Sequence, residues 1–407
     1  MASKDLDRLL ALLPTFEHQK GIRLFDEVAK DPSTAAPILQ ELLAAVSNHD
    51  DPQLHTPHGV LTVQAGRELL RLTRPPGGLG LLRFLVLYNF SLPKKALTPS
   101  QVESAARAIP SASREEQEVA YRKFVFERMG TKASFLLARI ALDQGVEAAG
   151  HLAVRASLDD LGRLGHNLAL AVGYADFASV LGLPRGLVPI ANLGQLQSVG
   201  LQSVPPGEIP PLDRSRSAEA DGEALAALLD EWEFDRVEPI LRAFASEGKA
   251  DQAYRPLLVA ASADPGFLGH TLTEVHTARL ASRFLTPAEN AWLSWKLYRT
   301  LTTRFGYPEF LRLGAAEHRE PAAIMAALES SLRYKSPPAE ETVRHALESD
   351  VPLDAILESV VDFYGQWTVG EKEHTISYLN AVLQTAKFLG KDEALLPLAI
   401  GLSKLPF

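Results

Sequence analysis

Apolar residues recur along most of this chain at the spacing of one face of an α-helix. Within residues 6–13, and again within 38–43, leucines and isoleucines fall three or four positions apart with polar residues between them. No stretch alternates β-branched and polar residues in the way a half-buried strand does. The pattern therefore predicts an all-α protein.

One segment departs from this pattern. Residues 202–219 contain four prolines and show no helical spacing, which is typical of a linker. A chain of 407 residues is also longer than one hydrophobic core of ordinary size. We therefore predict a first helical half at 1–201, a linker at 202–219 and a second helical half at 220–407.

The two halves match each other in sequence, which predicts an internal duplication. Apolar positions between 9 and 25 match those between 225 and 241 at a constant offset of 216. Farther along, Arg139 matches Arg344 at an offset of 205, and His166 matches His374 at 208. The predicted fold is a repeat-like α-helical bundle with two pseudo-equivalent halves.

Four histidines occupy corresponding places in this pattern, each where a helix is predicted to begin. They follow one another at intervals of 108, 104 and 104 residues, and Gly, Pro or an acid precedes each of them, as is common before a helix. The His58 and His166 segments belong to the first half, and the His270 and His374 segments belong to the second.

This placement predicts a metal site. The positive end of the helix dipole disfavours the charged ring, and neutral imidazole is the form that binds metals. If the halves pack around a pseudo-twofold axis, two or four of these rings meet in a His-lined cavity between the halves. Imidazole suits zinc, iron, copper or nickel better than magnesium or calcium. We predict that His58, His166, His270 and His374 are the metal ligands, with iron as the first choice.

Acidic and phenolic side chains follow these histidines closely in sequence. We predict Glu274 as a catalytic base and Tyr174 and Tyr378 as hydrogen-bond donors to a bound substrate. Further acids that could complete the metal shell or act as bases are Asp176, Glu371 and Glu373.

Two other interpretations of the histidines stay open at this point. A residue that recurs in a repeat often holds neighbouring helices together, and the chain would then be a non-enzymatic helical repeat module that binds a protein or another ligand. Its histidines would lie far apart or exposed. Alternatively, the histidines serve as acid–base or hydrogen-bonding groups in a metal-free cavity for a hydrophobic small molecule. Residue choice favours the metal, since an apolar side chain would pack at less cost than a polar ring.

The other histidines lack a counterpart at the matching position. His276 lies six residues after His270, on a different helical face, and is predicted to be a core or groove residue. The histidines that we expect to have ordinary roles are His18, His49, His151, His318 and His345.

Charge and hydropathy limit the classes of binding partner and the cellular location that we expect. The net charge of -9, without a basic stripe, argues against nucleic acid as a partner. The longest apolar run, near residues 81–90, is interrupted by Arg83 and is too short to span a membrane. The N-terminus does not resemble a secretory signal. We therefore expect a cytoplasmic protein without a membrane partner.

Two short segments resemble the histidine-containing helices of questin oxidase-like proteins, and also helical domains that are fused to Rieske iron–sulfur modules. They are GHNLALAVGYA at 165–175 and GHTLTEVHTARLA at 269–281. The resemblance implies an oxidative role on an organic substrate, with His166 and His270 as the matching positions.

The chain contains no cysteine, so it cannot carry a Rieske centre, and electrons would come from a protein partner or a soluble reductant. The predicted function is that of a non-haem, metal-dependent oxidoreductase or oxygenase that acts on an organic small molecule.

Overall fold

The structure, a computed structural model, contains only helices as regular elements in the residues that it describes. An antiparallel bridge joins His49 to Lys94. The prediction of an all-α protein is confirmed. The described residues are 2–51, 56–74, 77–161, 163–201, 207–209, 218–300, 320–367 and 372–405.

The α-helices are numbered here in chain order. Those before the predicted linker are α1 Ala2–Leu12, α2 His18–Val28, α3 Ala35–Val46, α4 His58–Leu70, α5 Leu79–Ser91, α6 Pro99–Arg107, α7 Arg114–Phe126, α8 Gly130–Gln144, α9 Val146–Ser157, α10 His166–Leu181 and α11 Leu187–Leu196. Those after it are α12 Gly222–Asp230, α13 Glu238–Ser246, α14 Arg255–Ala263, α15 His270–Ala281, α16 Pro287–Thr300, α17 Pro321–Tyr334, α18 Ala339–Leu347, α19 Leu353–Trp367, α20 Lys372–Leu389 and α21 Leu395–Lys404.

Short polar side chains explain where several of these helices begin. Ser113 precedes α7, and its hydroxyl accepts a hydrogen bond from the backbone N–H of Glu116, whose carboxylate accepts one from the backbone N–H of Ser113. Asp221 accepts in the same way from two backbone N–H groups at the start of α12. Each contact satisfies donors that a helix start leaves without an intrahelical partner.

The helices form two compact units, and each unit takes segments from both predicted halves. Unit 1 consists of Met1–Gln64, Leu85–Pro211 and Leu280–Glu289. Unit 2 consists of Ala65–Phe84, Leu212–Arg279 and Asn290–Phe407. Most of the predicted linker lies outside the described residues.

Helix α10 lies at the centre of unit 1 because it is apolar on every side. Twelve of its sixteen residues are buried, and α3, α9 and α11 pack against it. Leu168, Val172 and Phe177 are among its fully buried side chains. This packing places His166, the first residue of α10, at the edge of the apolar core.

Gly207 is the best-anchored described residue of the predicted linker. Its N–H donates to Asp159 Oδ1 at 3.0 Å, and its carbonyl oxygen accepts from Arg122 and Arg155. Arg155, which is 5% exposed, also lies 3.4 Å from Glu289. Charged side chains on α7 and α9 therefore hold two separate segments of the chain within unit 1.

Unit 2 has a core formed largely by α20 and α21, with α14 and α18 packed against α21. The apolar face of α20 buries Ile376, Leu379, Val382 and Leu383 at no more than 1% exposure. Since these residues recur at helical spacing, the burial of this face follows from the sequence pattern. In the described part of the chain, no helix combines the length and the apolar character needed to cross a membrane.

Candidate metal centre

His58 and His166 are in contact within unit 1. The two rings open α4 and α10, are half-buried, and meet edge to face with centroids 5.3 Å apart. One ligand nitrogen of each lies within 4.8 Å of the other. One ion with two bonds of about 2.1 Å spans at most about 4.2 Å, so a small side-chain adjustment lets both nitrogens bind it. This pair can therefore hold a metal ion.

His270 and His374 form a second pair within unit 2. Their ring centroids are 5.1 Å apart and the rings are tilted by 58°. His270 is the first residue of α15. His374 is the third residue of α20, because that helix begins at Lys372, two residues earlier than the histidine pattern predicts. All four predicted ligands thus occur in pairs in the first turns of helices.

A hydrogen bond fixes the tautomer of His270. Its Nδ1 lies 2.6 Å from the carbonyl oxygen of Phe267, which can only accept, so Nδ1–H is the donor. In a neutral ring the lone pair is then on Nε2. Metal-bound histidines commonly donate their second N–H to a backbone carbonyl in this way. The Phe267 ring also lies parallel to the His270 ring, with centroids 6.2 Å apart.

The backbone makes the same unusual turn before two of the histidines. Leu164 and Gly165 precede His166 with φ of 57° and 76°, and Leu268 and Gly269 precede His270 with φ of 51° and 79°. Left-handed conformations are rare for leucine. Two consecutive left-handed residues turn the chain sharply into each helix, which brings the histidine to the helix start.

His49 supports the start of α4. It is 8% exposed, and its Nδ1 accepts a hydrogen bond of 3.1 Å from the backbone N–H of Gly59, the residue after His58. The recurring histidine pattern does not indicate this role, since His49 is nine residues before His58 and lies outside the pattern.

Tyr378 lies beside the histidine pair of unit 2. It follows His374 by one helical turn and packs its ring against Gly269, where a Cβ atom would overlap the ring. The side chain is 5% exposed, and its Oη has no hydrogen-bond partner among the described residues. Burial raises the pKa of Tyr378, so the phenol keeps its proton.

Tyr174 occupies the interior of unit 1. It lies about two turns after His166 on α10, is fully buried, and has an Oη without a hydrogen-bond partner in the described part of the chain. Burial raises its pKa as well. The neighbouring Gly173 lets α10 approach α4, since a Cβ there would come within 3.0–3.1 Å of Gln64 and Val60.

Glu274 is the predicted catalytic base, and its carboxyl has a raised pKa. It follows His270 by one turn of α15 and is partly buried. Loss of hydration on burial raises the pKa of its carboxyl from 4.5 to about 7. A group with this pKa can exchange a proton near neutral pH.

Asp176 is less available as a metal ligand or as a base. Asp176 accepts a hydrogen bond of 2.7 Å from the Arg283 guanidinium, so its carboxylate is engaged in an ion pair. Glu371 lies outside the described residues, as does the side chain of Glu373, and His318 does too. His276 is 3% exposed, in agreement with its predicted place in the core.

Unit 2 contains a buried polar cluster that the histidine pattern does not predict. Glu68 of α4, His276 of α15 and Asn380 of α20 converge, with Asn380 Nδ2 donating to Glu68 Oε2 at 2.7 Å and His276 Nε2 lying 3.3 Å from the same oxygen. The sequence carries a signal for two of the three residues, since His276 follows His270 and Asn380 follows His374 by six residues each.

No family model matches the chain, and no curated protein or solved structure is significantly similar to it.

Proposed function

We propose that the paired histidines bind a transition-metal ion and that the protein is a metal-dependent oxidoreductase acting on an organic small molecule. The observation that carries this proposal is that both units bring two histidines from helix starts into ring contact, at 5.3 and 5.1 Å. Buried or half-buried imidazoles in contact with each other are costly to pack without a shared ligand or partner.

The donor set favours a first-row transition metal. Imidazole nitrogens suit iron, zinc, copper and nickel, and the Nδ1–H donation of His270 directs its other nitrogen toward the ligand role. We choose iron, in a non-haem site, because the segments around His166 and His270 resemble questin oxidase-like proteins. Iron would supply redox chemistry, with electrons from a protein partner or a soluble reductant.

The neighbouring side chains have roles that follow from their protonation. Tyr378 and Tyr174 keep their phenolic protons because burial raises the pKa of each, so either can donate a hydrogen bond to a substrate oxygen. Glu274, with a pKa of about 7, can accept a proton from the substrate and release it again near neutral pH.

We also propose that the chain arose by internal duplication. The left-handed Leu-Gly steps before His166 and His270 lie 104 residues apart, which is the interval of the shorter histidine repeat and not the offset of 208 that pairs His166 with His374. Leucine rarely adopts this conformation, so its recurrence at the repeat interval supports a common origin of the two segments.

A helical binding module is the alternative function, and it predicts histidines that lie far apart or exposed. Within each unit the two histidines are instead in contact and half-buried. This contact favours the metal centre over a purely structural use of the histidines.

The test is metal analysis of protein purified without an affinity tag from iron-replete, anaerobic medium. We expect bound metal in the wild type, and a lower metal content in His166→Ala and in His374→Ala, each of which leaves the other pair intact. Each substitution removes one ligand of a pair.

The matched control is His18→Ala. His18 also opens a helix, α2, but is exposed, so this variant should keep the wild-type metal content. Wild-type protein without bound metal under these conditions would overturn the proposal.

A further inference from the structure

Glu68 joins three helices inside unit 2. Its carboxylate oxygen Oε2 accepts from Asn380 Nδ2 at 2.7 Å and lies 3.3 Å from His276 Nε2. Its backbone carbonyl oxygen accepts from Gln384 Nε2 at 3.2 Å. Glu68, His276 and Asn380 are all buried, with exposures of 7%, 3% and 4%. These contacts therefore operate away from water, where hydrogen bonds to a charged group are strong.

His276 and Asn380 depend on Glu68 for their orientation. The remaining polar atoms of these side chains, His276 Nδ1 and Asn380 Oδ1, are buried and form no hydrogen bond among the described residues. Besides Glu68, each has the other as its polar neighbour, with Nε2 and Nδ2 3.3 Å apart. Without the carboxylate, His276 Nε2 and Asn380 Nδ2 keep only each other as hydrogen-bond partners among the described residues.

The two helices tied together by Glu68 are those that carry the histidine pair of unit 2. His276 is six residues after His270 on α15, and Asn380 is six residues after His374 on α20. At 1.5 Å per residue, the cluster lies about 9 Å along each helix from its histidine. A sliding or rotation of α15 against α20 at the cluster would therefore be transmitted to the histidines.

We propose that Glu68 is a positioning residue for the metal centre: through His276 and Asn380 it sets the register of α15 against α20 and so keeps the rings of His270 and His374 in contact. This inference rests on the proposed metal-binding function. The positioning of the His270 and His374 rings by Glu68 does not require a bound metal. Metal ligands must be held within about 0.5 Å of the binding geometry, a tolerance that a loosened helix pair would exceed.

The charged groups near Glu68 are consistent with its role as a positioning residue. The Arg279 guanidinium lies near enough to interact with both Glu68 and Asp251, and it stacks on the Phe388 ring at 4.6 Å from the centroid. The negative charge of Glu68 is thus partly balanced within unit 2, and its hydrogen bonds are left to orient the two side chains.

The experiment compares the wild type with Glu68→Ala and Glu68→Gln by two readouts. The first is the nuclear Overhauser effect between the imidazole rings of His270 and His374 in histidine-labelled, metal-free protein. The second is the Fe²⁺ dissociation constant from competition with a chelator. In Glu68→Ala we expect the effect between the rings to weaken or vanish and the dissociation constant to rise 10- to 100-fold, the range typical of outer-shell changes.

Glu68→Gln should stay within about threefold of the wild type in Fe²⁺ affinity. Its amide oxygen can still accept from Asn380 and His276. The control is Asn89→Ala in unit 1, which loses a buried hydrogen bond to the Leu13 carbonyl oxygen and should lower thermal stability without changing either readout. If Glu68→Ala does not fold, Asn380→Ala replaces it and should give a smaller change in the same direction.

Two results would overturn the inference: a folded Glu68→Ala protein with wild-type values in both readouts, or a Glu68→Gln protein as impaired as Glu68→Ala. If the wild type binds no Fe²⁺, the proposed function fails, and the ring-to-ring effect alone still decides whether Glu68 positions the histidines.

Discussion

At the scale of single residues, burial gives Glu274 properties that its position in the sequence does not indicate. An ionised carboxylate loses hydration when it is buried, and this raises the pKa of Glu274 from 4.5 to about 7. The group therefore favours its protonated form in the folded protein far more than in the unfolded chain.

The pH dependence of stability follows from this shift. Because the folded pKa is the higher one, the stabilisation is fully present below about pH 4.5 and is lost as the pH rises through about 7. In Glu274→Gln we expect this loss to disappear, so that the variant gains on the order of 2 kcal/mol relative to the wild type between pH 5 and pH 8. Urea unfolding at both pH values measures the difference. An equal change in the two proteins over this range would contradict the assignment.

Some single residues of the site cannot be predicted from the sequence. The four histidines were recognisable because they recur, whereas Glu68 and His49 recur nowhere and act through contacts with residues that are distant in the chain or outside the pattern. Only packing could identify them.

At the scale of single elements, the helix starts are built by unusual backbone as well as by capping side chains. A Gly, Pro or acid precedes each of the four histidines, and this pattern predicted a helix start at each. The structure adds that Leu164 and Leu268 share the left-handed conformation of the glycines that follow them. This backbone turns the chain sharply into the helix. The histidine ring therefore lies at the positive end of the helix dipole.

Gly269 tests this arrangement. Its φ is 79°, and a Cβ atom would overlap the Tyr378 ring, so Gly269→Ala combines backbone strain with a steric clash. We expect a loss of about 2–4 kcal/mol in the free energy of unfolding. Gly248, with a φ of 73° and no atom within 4 Å of the same position, is the control. Gly248→Ala should cost only about 1 kcal/mol. Equal losses in the two variants by thermal or urea unfolding would show that Tyr378 does not constrain this turn.

At the scale of the whole molecule, neither predicted half contains all the parts of a unit. Residues Leu280–Glu289 belong to unit 1, where the Phe284 carbonyl oxygen accepts from His151 Nδ1 at 2.7 Å and Glu289 lies beside Arg155. In turn, Ala65–Phe84 belongs to unit 2, where Leu69 and Leu81 are buried. A contiguous half therefore carries an apolar segment that it cannot bury and lacks one that it needs.

A protein truncated after Pro211 should accordingly fail to fold cooperatively. Circular dichroism during heating is expected to show a broad, low-temperature change, and size-exclusion chromatography to show association through exposed apolar surface. Co-expression with residues 212–407 is the control, since it returns the missing segment and should restore a cooperative transition. A truncated chain that melts cooperatively within a few degrees of the full protein would contradict this expectation.

Sequence patterns were enough to predict the all-helical class, the starts of α4, α10 and α15 at their histidines, and the burial of His276. These features depend on neighbours within one or two helical turns, which the spacing of apolar residues and the residues at helix starts record directly. Tertiary structure alone decided which histidines meet, how Glu68 joins α15 to α20, and which segments complete each unit. Those contacts join residues tens to hundreds of positions apart, and they depend on how whole helix faces pack rather than on any local pattern.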